Sequence, residues 1–301
     1  MISICIPICN FDVNSLIGEL ARQIQYLFVP AEIVLIDDAS SSSFKRQNDK
    51  ICKEHKYIEL STNVGRAAIR NLFLEYAQYD YLLFLDCDSL IVSEDYLNSY
   101  LIAIKLLQPN VICGGQVFSH RNPGFNRRLR WRFGVKHESH TADYRLQYPD
   151  ISFMTNNFLI KKSLLQSIKF NEQLIDYGHE DTLFGFELKK RKIAITHIDN
   201  PIMNSDVEKN GVFLQKTEVG VSNLVKIQKI VGYDPMFVND VKILNVYNKI
   251  KSSFLILPIY LLFLLLRVPA KQLLKIGLSL WIFDFYKFGI LTERMWSKEN
   301  R

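Results

Sequence analysis

The sequence predicts an α/β fold with a mainly parallel central sheet, followed by a helical C-terminal extension. Apolar runs at ISICIPI (2–8), AEIVLIDD (31–38) and YLLFL (81–85) are separated by segments of helical spacing. Each run is continuously apolar and lacks the regular polar alternation of a half-exposed strand. We therefore expect strands buried on both faces, as in a parallel sheet covered by helices.

The intervening segments complete this pattern. In the first half, the predicted elements are a helix spaced by Leu16, Leu20, Ile24 and Leu27, a polar helix over 45–55, a short strand at 58–60 and a helix over 63–76. After Pro109 they are a strand at 111–118, an aperiodic Arg-rich stretch to Tyr148, a strand at 153–160, a helix within 171–190, a closing strand at 192–198 and mixed helical spacing over 204–232. We divide the predicted catalytic domain, 1–225, into halves 1–110 and 111–225, and we assign 226–301 to the extension.

The extension contains two apolar segments. Residues 254–266 are uncharged and would form a helix of roughly 20 Å, too short to cross a hydrocarbon core of about 30 Å alone. Residues 273–291 are long enough but include Lys275, Asp284 and Lys287. Aromatic residues and lysines around both segments favour an amphipathic helix pair in a membrane interface. Packing on the globular domain or a homodimer contact is the alternative.

The net charge of +6 is concentrated in two segments. Residues 121–145 carry seven basic and two acidic side chains, and residues 242–301 carry ten basic and three acidic ones. The first segment indicates a phosphate-bearing partner, and the second indicates an anionic membrane surface. Because the charge lies beside a predicted phosphate site and an apolar tail, it does not indicate a nucleic-acid-binding protein.

Cysteine usage and the N-terminal sequence bear on the cellular compartment. The five cysteines include no C-x-x-C pair and lie mostly in apolar runs, which predicts reduced thiols and neither disulfides nor a zinc site. The start MISICIPICN lacks the basic residues, apolar stretch and cleavage site of a secretory signal. We expect a cytoplasmic catalytic part, located at the inner face of the cell membrane.

Two aspartates follow directly on the third apolar run. In LLFLDCDS, strand geometry directs Asp86 and Asp88 to one side and Cys87 to the other. Open α/β sheets bind ligands at the carboxyl ends of their strands. Neighbouring carboxylates repel unless a cation neutralises them, and their oxygens suit Mg²⁺ or Mn²⁺ held partly by substrate phosphates. Alone, this D-x-D pattern is equally consistent with a surface turn.

Two further features coincide with the D-x-D pattern. Asp37 and Asp38 end the second apolar run in LIDDAS. The segment NVGRAAIRN (63–71) presents backbone N–H groups and guanidinium groups at a helix start, where they favour phosphate, at Gly65, Arg66 and Arg70. A turn cap and a solvated helix face are the ordinary explanations of each feature alone. Together they predict an anion-binding site at the strand ends.

The motifs ISICIPICN, VLIDDAS, NVGRAAIRN, LLFLDCDS and YGHED occur in the order and spacing of the family 2 glycosyltransferases, and about residues 1–225 resemble these inverting enzymes. The resemblance implies the GT-A fold, which has a Rossmann-like, mainly parallel sheet. It also implies a nucleotide-sugar donor, commonly a UDP-sugar, and Mn²⁺ or Mg²⁺ as cofactor. The implied activity is transfer of a hexosyl or N-acetylhexosaminyl group to a hydroxyl of a glycan or lipid-linked glycan.

The resemblance also implies residue roles on the donor side. Asp38 corresponds to the aspartate that contacts the nucleotide base, with Asp37 supporting it. Asp88 corresponds to the direct metal ligand, and Asp86 to the residue that meets the ribose or a metal-bound water. The predicted nucleotide-sugar site comprises Pro7, Asn10, Asp37, Asp38, Asn63, Arg66, Arg70, Asp86, Cys87 and Asp88.

The catalytic base implied by the resemblance is Asp181 in GHEDTLFG, with Glu180 as an acceptor-binding or orienting residue. Gly178 permits a sharp turn into a helix whose N-terminus favours an ionised carboxylate, so we expect the base to be ionised at neutral pH. The implied reaction is a single displacement. Asp181 removes a proton from an acceptor hydroxyl, which attacks the anomeric carbon and inverts its configuration.

The sequence departs from the family pattern at two points. The first strand ends in Ile8, Cys9 and Asn10, where the family commonly has Thr-Tyr-Asn, so stacking on the base is lost unless Phe11 replaces it. Many relatives also place a late histidine near the metal. Direct alignment puts Asn204 there, with His197 seven residues earlier. Either His197 is a metal ligand or Asp88 and phosphate hold the metal, and a core histidine is the ordinary alternative.

The acceptor side is predicted less directly. The stretch 126–134 is interpreted as a mobile lid whose Trp131 stacks on a sugar, as a site for an anionic lipid acceptor or as a solvated basic loop. Chain order alone places four residues on an acceptor-side wall: Gly114, Gly115, Asn156 and Asn157.

Other functions fit the sequence less well. A dinucleotide-dependent oxidoreductase would have G-x-G-x-x-G after the first strand, and this chain does not. A non-catalytic interaction protein with the GT-A fold is one alternative. Transfer to polyprenyl phosphate, which needs no deprotonation of a carbohydrate hydroxyl, is another. The four aspartates at 38, 86, 88 and 181 favour an active enzyme.

Overall fold

A computed structural model describes residues 1–204 and 206–299, so the last two residues of the predicted extension 226–301 lie outside the described residues. The strands are β1 Ile2–Ile8, β2 Ala31–Asp37, β3 Lys56–Glu59, β4 Tyr81–Leu85, β5 Ser89–Ile91, β6 Val111–Cys113, β7 Gln116–Val117, β8 Asn157–Lys161, β9 Ile195–His197 and β10 Ile202–Asn204. The helices are α1 Asn14–Ile24, α2 Ser42–Lys53, α3 Arg66–Tyr76, α4 Tyr96–Leu107, α5 Arg128–His137, α6 Ala142–Leu146, α7 Lys162–Ile168, α8 Glu180–Lys190, α9 Asn210–Ile230, α10 Pro235–Asp240, α11 Lys242–Ile250, α12 Ile256–Lys275 and α13 Leu280–Glu299.

Seven strands form the main sheet, in the order β3-β2-β1-β4-β8-β6-β9. The first four in this order pair in parallel, as does β6 with β9, whereas β8 runs antiparallel to both of its neighbours. Chain order reverses at β1, because β2 lies on one side of it and β4 on the other. This mixed, mainly parallel α/β sheet confirms the predicted fold class.

Both faces of the sheet are apolar, which explains the continuous apolar runs. Along β1, Ile4 and Ile6 point into a cluster with Leu16 and Leu20 of α1. Cys5 between them points to the opposite cluster, which contains Phe73 and other residues of α3, α7 and α8. Burial of alternate residues on opposite faces holds β1 in the centre of the sheet.

A small second sheet has the order β5-β10-β7. β10 pairs antiparallel with β5, where Asn204 lies opposite Ser89, and parallel with β7. The predicted single strand 111–118 is therefore wrong. It is divided into β6 and β7 in different sheets, because Gly115 adopts φ +86° and redirects the chain. The prediction that 192–198 is the closing strand is also wrong, because β10 follows it.

The chain divides into two compact units. The first comprises 1–119, 138–175 and 180–206 and contains both sheets. The second comprises 120–137, 176–179 and 207–301, of which the described part includes α5 and α9 to α13. The predicted boundary at 225 stays a prediction.

In the helical unit, α12 packs one narrow stripe against its neighbours. Phe263 of α12 contacts the rings of Phe285 and Tyr286 on α13. Arg267 pairs with Glu293 of α13 at 2.9 Å, and Lys271 pairs with Glu218 of α9 at 2.7 Å. These contacts fix the buried stripe of α12 and leave the other faces of the helix exposed.

The apolar stretch of the tail is longer as a helix than the predicted 254–266. α12 has 20 residues and is, within the described ranges, the one helix long and apolar enough to cross a membrane by length and composition. Only 17% of its most apolar window is buried in the protein. A soluble protein's core helix passes the same length and composition test, so the low burial is the more informative observation.

Candidate active site

The main site lies where chain order reverses around β1. A cavity of about 190 Å³ opens at the carboxyl ends of β1, β2 and β4 and at the start of α3. Its lining includes seven predicted donor-site residues: Pro7, Asp38, Arg66, Arg70, Asp86, Cys87 and Asp88. Cys9 and Phe11 also line the cavity. The Phe11 ring is therefore present at the site where the family's stacking aromatic residue is missing from this sequence. This is the position at which open α/β sheets bind ligands.

Two arginines of α3 hold the first aspartate of the D-x-D pattern. Arg70 Nη2 donates to Asp86 Oδ1 at 2.9 Å, and Arg66 Nη1 lies 3.8 Å from Asp86 Oδ2. Both guanidinium groups also lie 3.7 Å from Glu180 Oε1. Arg70 is 1% exposed, whereas half-exposed Arg66 borders the cavity. The arginines therefore join the D-x-D strand to the start of α8.

The second aspartate has a different partner. Asp88 Oδ2 accepts a hydrogen bond of 2.8 Å from Asn204 Nδ2, at the end of β10. Burial and the neighbouring Asp86 charge raise the pKa of Asp88 above its ordinary value. A cation beside Asp88 would counter both effects. The described residues contain no cluster of three or more His, Cys, Asp or Glu side chains able to hold a metal ion.

Asp37 and Asp38 organise the loops at the edge of the cavity. Asp38 accepts from the backbone N–H groups of Val64 and Gly65, at 2.7 and 3.3 Å, and so fixes the start of α3. Asp37 is buried and accepts from the N–H of Ser40 at 2.6 Å. Because these bonds use carboxylate oxygens of both residues, both aspartates have a structural role whatever else they bind.

Asn10 and Asn63 bridge the same loops. Asn10 adopts φ +50°, receives a hydrogen bond from the N–H of Ser41 and donates its own N–H to Ser40 Oγ. Asn63 Nδ2 donates to the carbonyl of Asp38 at 3.2 Å. Neither residue is among those that line the cavity, and these bonds hold the β1 and β2 loops in place.

Glu180 and Asp181 begin α8, after Gly178 at φ +102°. Burial and the Glu180 charge raise the pKa of Asp181 to about 6, and hydrogen bonds from Thr182 oppose this only in part. Helix position alone predicts a lowered pKa, so burial outweighs the helix N-terminus. At pH 7 a group with a pKa of about 6 is still mainly ionised.

His197 lies in a buried network and not beside the aspartates. Its Nδ1 is 3.0 Å from Arg145 Nη1, and its Nε2 is 3.1 Å from the carbonyl oxygen of Pro149. Burial lowers the pKa of His197 to about 4, which keeps the ring neutral. Both ring nitrogens have partners, so the prediction of His197 as a metal ligand is wrong. Asn204, the position given by direct alignment, contacts Asp88.

Comparisons with known proteins agree with this geometry. Residues 3–169 match the family model described as Glycosyl transferase family 2. The chain belongs to glycosyl transferase family 2. An uncharacterized glycosyltransferase of Haemophilus influenzae is 28% identical over 201 residues, which are 65% of this chain and 75% of that protein.

Solved structures similar to this family 2 glycosyltransferase share its GT-A fold. The mannosyltransferase PcManGT of Pyrobaculum calidifontis, in complex with GDP-Man and Mn²⁺, aligns with a TM-score of 0.61 at 15% identity, over 99% of this chain and 87% of that one. TarS 1-349 of S. aureus, in complex with UDP-GlcNAc, aligns with a TM-score of 0.53 at 16% identity, over 100% of this chain and 91% of that one. The match spans 39% of the longer TarS chain.

The predicted acceptor-side residues of this glycosyltransferase differ in exposure. Asn157 is buried, and its side chain bonds Tyr100, the carbonyl of Gly115 and the carbonyl of Asn200. Asn157 is therefore a support and not a substrate contact, contrary to the prediction. Asn156 donates to Gln116 at 2.6 Å, and its buried Oδ1 has no hydrogen-bond partner.

One supporting residue was missed by the sequence interpretation. Arg145 is 2% exposed and donates to the carbonyls of Cys113, Gly114 and Ile198. It fixes the turn between β6 and β7. Its position among six other basic residues in 121–145 concealed it, since no local pattern separates one buried arginine from exposed ones.

Residues 128–137 of the Arg-rich stretch form a helix, α5, and not an aperiodic loop. Within the helical unit, Arg128 Nε donates to the carbonyl of Gly277 at 3.2 Å, and Arg132 Nη1 donates to that of Leu278 at 2.9 Å. Arg130 lies over the ring of Phe213. These contacts contradict a free basic loop, and Trp131 lies on the same helix.

Proposed function

We propose that the protein transfers a sugar from a nucleotide sugar to a hydroxyl of a glycan or lipid-linked glycan. The observation that carries this proposal is the cavity at the strand ends, where Asp38, Arg66, Arg70, Asp86 and Asp88 converge. The carboxylates of such a site can accept hydrogen bonds from a nucleotide base or a sugar hydroxyl, and its guanidinium groups can bind phosphate. Family membership supports the same reaction.

The donor arrangement follows from these side chains. We assign the nucleotide base of the donor to the edge of the cavity formed by Asp38 and Phe11. We assign the diphosphate to the side formed by Arg66 and Asp88. A UDP-sugar carrying a hexosyl or N-acetylhexosaminyl group is the first donor to test. The relatives' complexes with UDP-GlcNAc and GDP-Man support a nucleotide-sugar donor without choosing the nucleotide.

The residues present fit a divalent cation. Asp86 is paired with two arginines, and the side-chain oxygen of Asn204 accepts a hydrogen bond from the N–H of Asp206, so Asp88 is the residue of this region that would hold the cation. One carboxylate does not complete a coordination sphere, and Mg²⁺ commonly takes its remaining ligands from substrate phosphates and water. Bound there, Mn²⁺ or Mg²⁺ would neutralise the charge that develops on the leaving diphosphate.

Asp181 is assigned as the general base. Its carboxylate accepts the proton of the acceptor hydroxyl, the oxygen forms a bond to the anomeric carbon, and the bond from that carbon to the diphosphate oxygen breaks. One displacement inverts the configuration. A pKa of about 6 is suited to this role, because it gives an ionised group at pH 7 without making it too weak a base.

We also propose that the enzyme works at the inner face of the cell membrane. Exposed apolar residues at successive turns of α12 lie on one side of the helix: Leu257, Leu261, Leu264, Leu265 and Val268. Basic residues at both ends of α12 suit anionic lipid headgroups. Arg267 and Lys271 bind acidic partners in neighbouring helices, so α12 is tied to its unit and suited to lie in the interface.

The test is release of nucleoside diphosphate from UDP-glucose, UDP-GlcNAc, UDP-galactose and GDP-mannose by the purified chain with Mn²⁺. We expect release from one donor, abolished in Asp88→Asn and reduced about 10²- to 10⁴-fold in Asp181→Asn. Asp80→Asn, at the opposite end of β4, is the matched control and should retain full activity. Absence of binding to any donor, with or without metal, would instead favour a non-catalytic protein. Release dependent on polyprenyl phosphate would identify that molecule as the acceptor.

A further inference from the structure

A second cavity lies wholly within the helical unit. Its volume is about 480 Å³, within the range of pockets that enclose small molecules. The end of α9, the turn after it, α10, α11 and α13 line the cavity, and no family motif falls among these residues. The lining residues that matter are Gln228, Lys229, Tyr233, Asn239, Tyr247 and Lys251.

Two cations border this cavity without acidic partners. Lys229 and Lys251 are exposed, and in the described part of the chain neither ammonium group has an ion pair or hydrogen bond. No Asp or Glu is among the described lining residues. Nearby lysines differ, because Lys226 pairs with Asp176 and Lys271 pairs with Glu218. The cavity therefore has an uncompensated positive charge, which favours an anionic ligand.

One residue that lines the cavity, Gln228, carries an unused hydrogen-bond acceptor. Gln228 is 4% exposed, and its buried Oε1 has no hydrogen-bond partner. Buried carbonyl oxygens of side-chain amides are nearly always satisfied, so this atom calls for a donor from outside the chain. Phosphate oxygens that are ionised only accept hydrogen bonds, so the donor must be another group of the ligand, such as a hydroxyl.

We propose that this cavity binds a phosphorylated carbohydrate. The phosphate pairs with Lys229 and Lys251, and a sugar hydroxyl donates to Gln228 Oε1. A phosphate monoester carries nearly two negative charges at pH 7, which matches the two ammonium groups. Tyr233, which is 57% exposed, provides aromatic surface for the sugar ring. The proposal is independent of the donor site and of the proposed transfer reaction.

Isothermal titration calorimetry of the full chain tests this proposal with glucose 6-phosphate, glucose and inorganic phosphate as probes. We expect glucose 6-phosphate to bind more tightly than either fragment. The double variant Lys229→Gln/Lys251→Gln should lower its affinity at least about tenfold. Gln228→Leu should lower it several-fold and leave the thermal midpoint within a few degrees. Lys226→Gln/Lys249→Gln changes net charge equally outside the cavity and should bind as the parent does.

Two further experiments test whether the ligand is a free sugar phosphate or a lipid headgroup, and which of the two cavities binds it. Phosphatidylcholine vesicles with and without phosphatidylinositol 4-phosphate, whose inositol ring bears a phosphate monoester, test a lipid headgroup as the carrier of the same chemistry. An inositol-lipid-dependent gain that the lysine pair variant lacks, without binding of glucose 6-phosphate, would make the ligand a lipid. Arg66→Gln tests the donor cavity. Binding of glucose 6-phosphate that is lost in Arg66→Gln but kept in the lysine pair variant would overturn the proposal. Absence of binding of both glucose 6-phosphate and the inositol lipid would also overturn it.

Discussion

Arg70 Nη2 donates to Asp86 Oδ1 across 2.9 Å, and this bond joins the first turns of α3 to the end of β4. The same guanidinium lies 3.7 Å from Glu180 at the start of α8. One buried arginine therefore connects the D-x-D strand to the helix of the proposed base. Because Asp86 is used in this pairing, the two aspartates of the D-x-D pattern are chemically distinct.

Replacing Arg70 should destabilise the fold as well as the site. In Arg70→Ala, Asp86 and Glu180 lose a buried cation, and we expect the free energy of unfolding to fall by about 3 kcal/mol. Arg46→Ala, which removes an exposed arginine of α2, should change it by less than about 0.5 kcal/mol. Urea denaturation of both variants measures the difference. Equal stability of the two variants would show that Arg70 does not contribute to the stability of the fold.

The activity of the enzyme should rise with pH through the titration of Asp181. Because the base must be deprotonated, turnover is expected to increase about tenfold per pH unit below pH 6 and to level off above it. Glu180→Gln removes the charge that helps to raise this pKa, so the midpoint should move to lower pH. A midpoint that stays in place in Glu180→Gln would assign the titration to another group.

The same shift predicts an effect on stability. The pKa of Asp181 in the folded chain exceeds its ordinary value of 3.8, so the folded state binds the extra proton between about pH 4 and 6. The free energy of unfolding therefore falls as pH rises through this window, and the loss persists above it. Asp181→Asn should raise the thermal midpoint at pH 8 by about 2–4 °C and leave it nearly unchanged at pH 4. A lower midpoint at pH 8 would contradict the pKa assignment.

Gly115 should not tolerate a side chain. A Cβ at this position would lie 2.6 Å from Arg145 Nη2, and the backbone has φ +86°. We expect Gly115→Ala to lower the free energy of unfolding by about 2 kcal/mol or more, through strain and displacement of the buried guanidinium. In Gly18→Ala within α1, the added Cβ would meet no neighbouring residue within 4 Å. This variant should instead raise the free energy of unfolding by up to about 1 kcal/mol. Thermal unfolding of the pair checks this contrast.

The leucine surface of α12 should determine membrane binding. Leu261→Gln/Leu265→Gln removes two exposed apolar side chains and is expected to weaken binding to anionic vesicles at least about tenfold. Leu106→Gln/Leu107→Gln removes two exposed leucines of α4 and serves as the matched control. Vesicle cosedimentation measures both. Equal loss in the two variants, or none in either, would remove α12 as the binding surface.

Asn204 should tune the aspartate beside it. Asn204→Ala removes the hydrogen bond that lowers the pKa of Asp88, so that pKa should rise further. Cation binding requires the ionised carboxylate. The Mn²⁺ concentration for half-maximal activity should therefore increase several-fold, and more at pH 6 than at pH 8. A pH-independent change would indicate a purely structural role.

The strands were largely predictable because burial on both faces leaves a clear record in the sequence. β1 and β4 have the predicted bounds, and the motifs that end β2 and β4 converge as parallel topology requires. The break between β6 and β7 was not predictable, because Gly114 and Gly115 lie within one apolar run and the buried Arg145 that bonds the carbonyls of this turn is distant in sequence. The burial of His197 likewise depends on residues that are distant in sequence.

The hydrogen bond from Asn204 to Asp88 spans 116 positions of the chain. During synthesis, the D-x-D strand leaves the ribosome long before β10 exists, so an early N-terminal fragment contains the aspartates without their partner. Contacts of such sequence separation form late, because the intervening chain must first be ordered. The partner that lowers the pKa of Asp88 is therefore in place only when nearly the whole first unit has been translated, at a rate of about 5–20 residues per second.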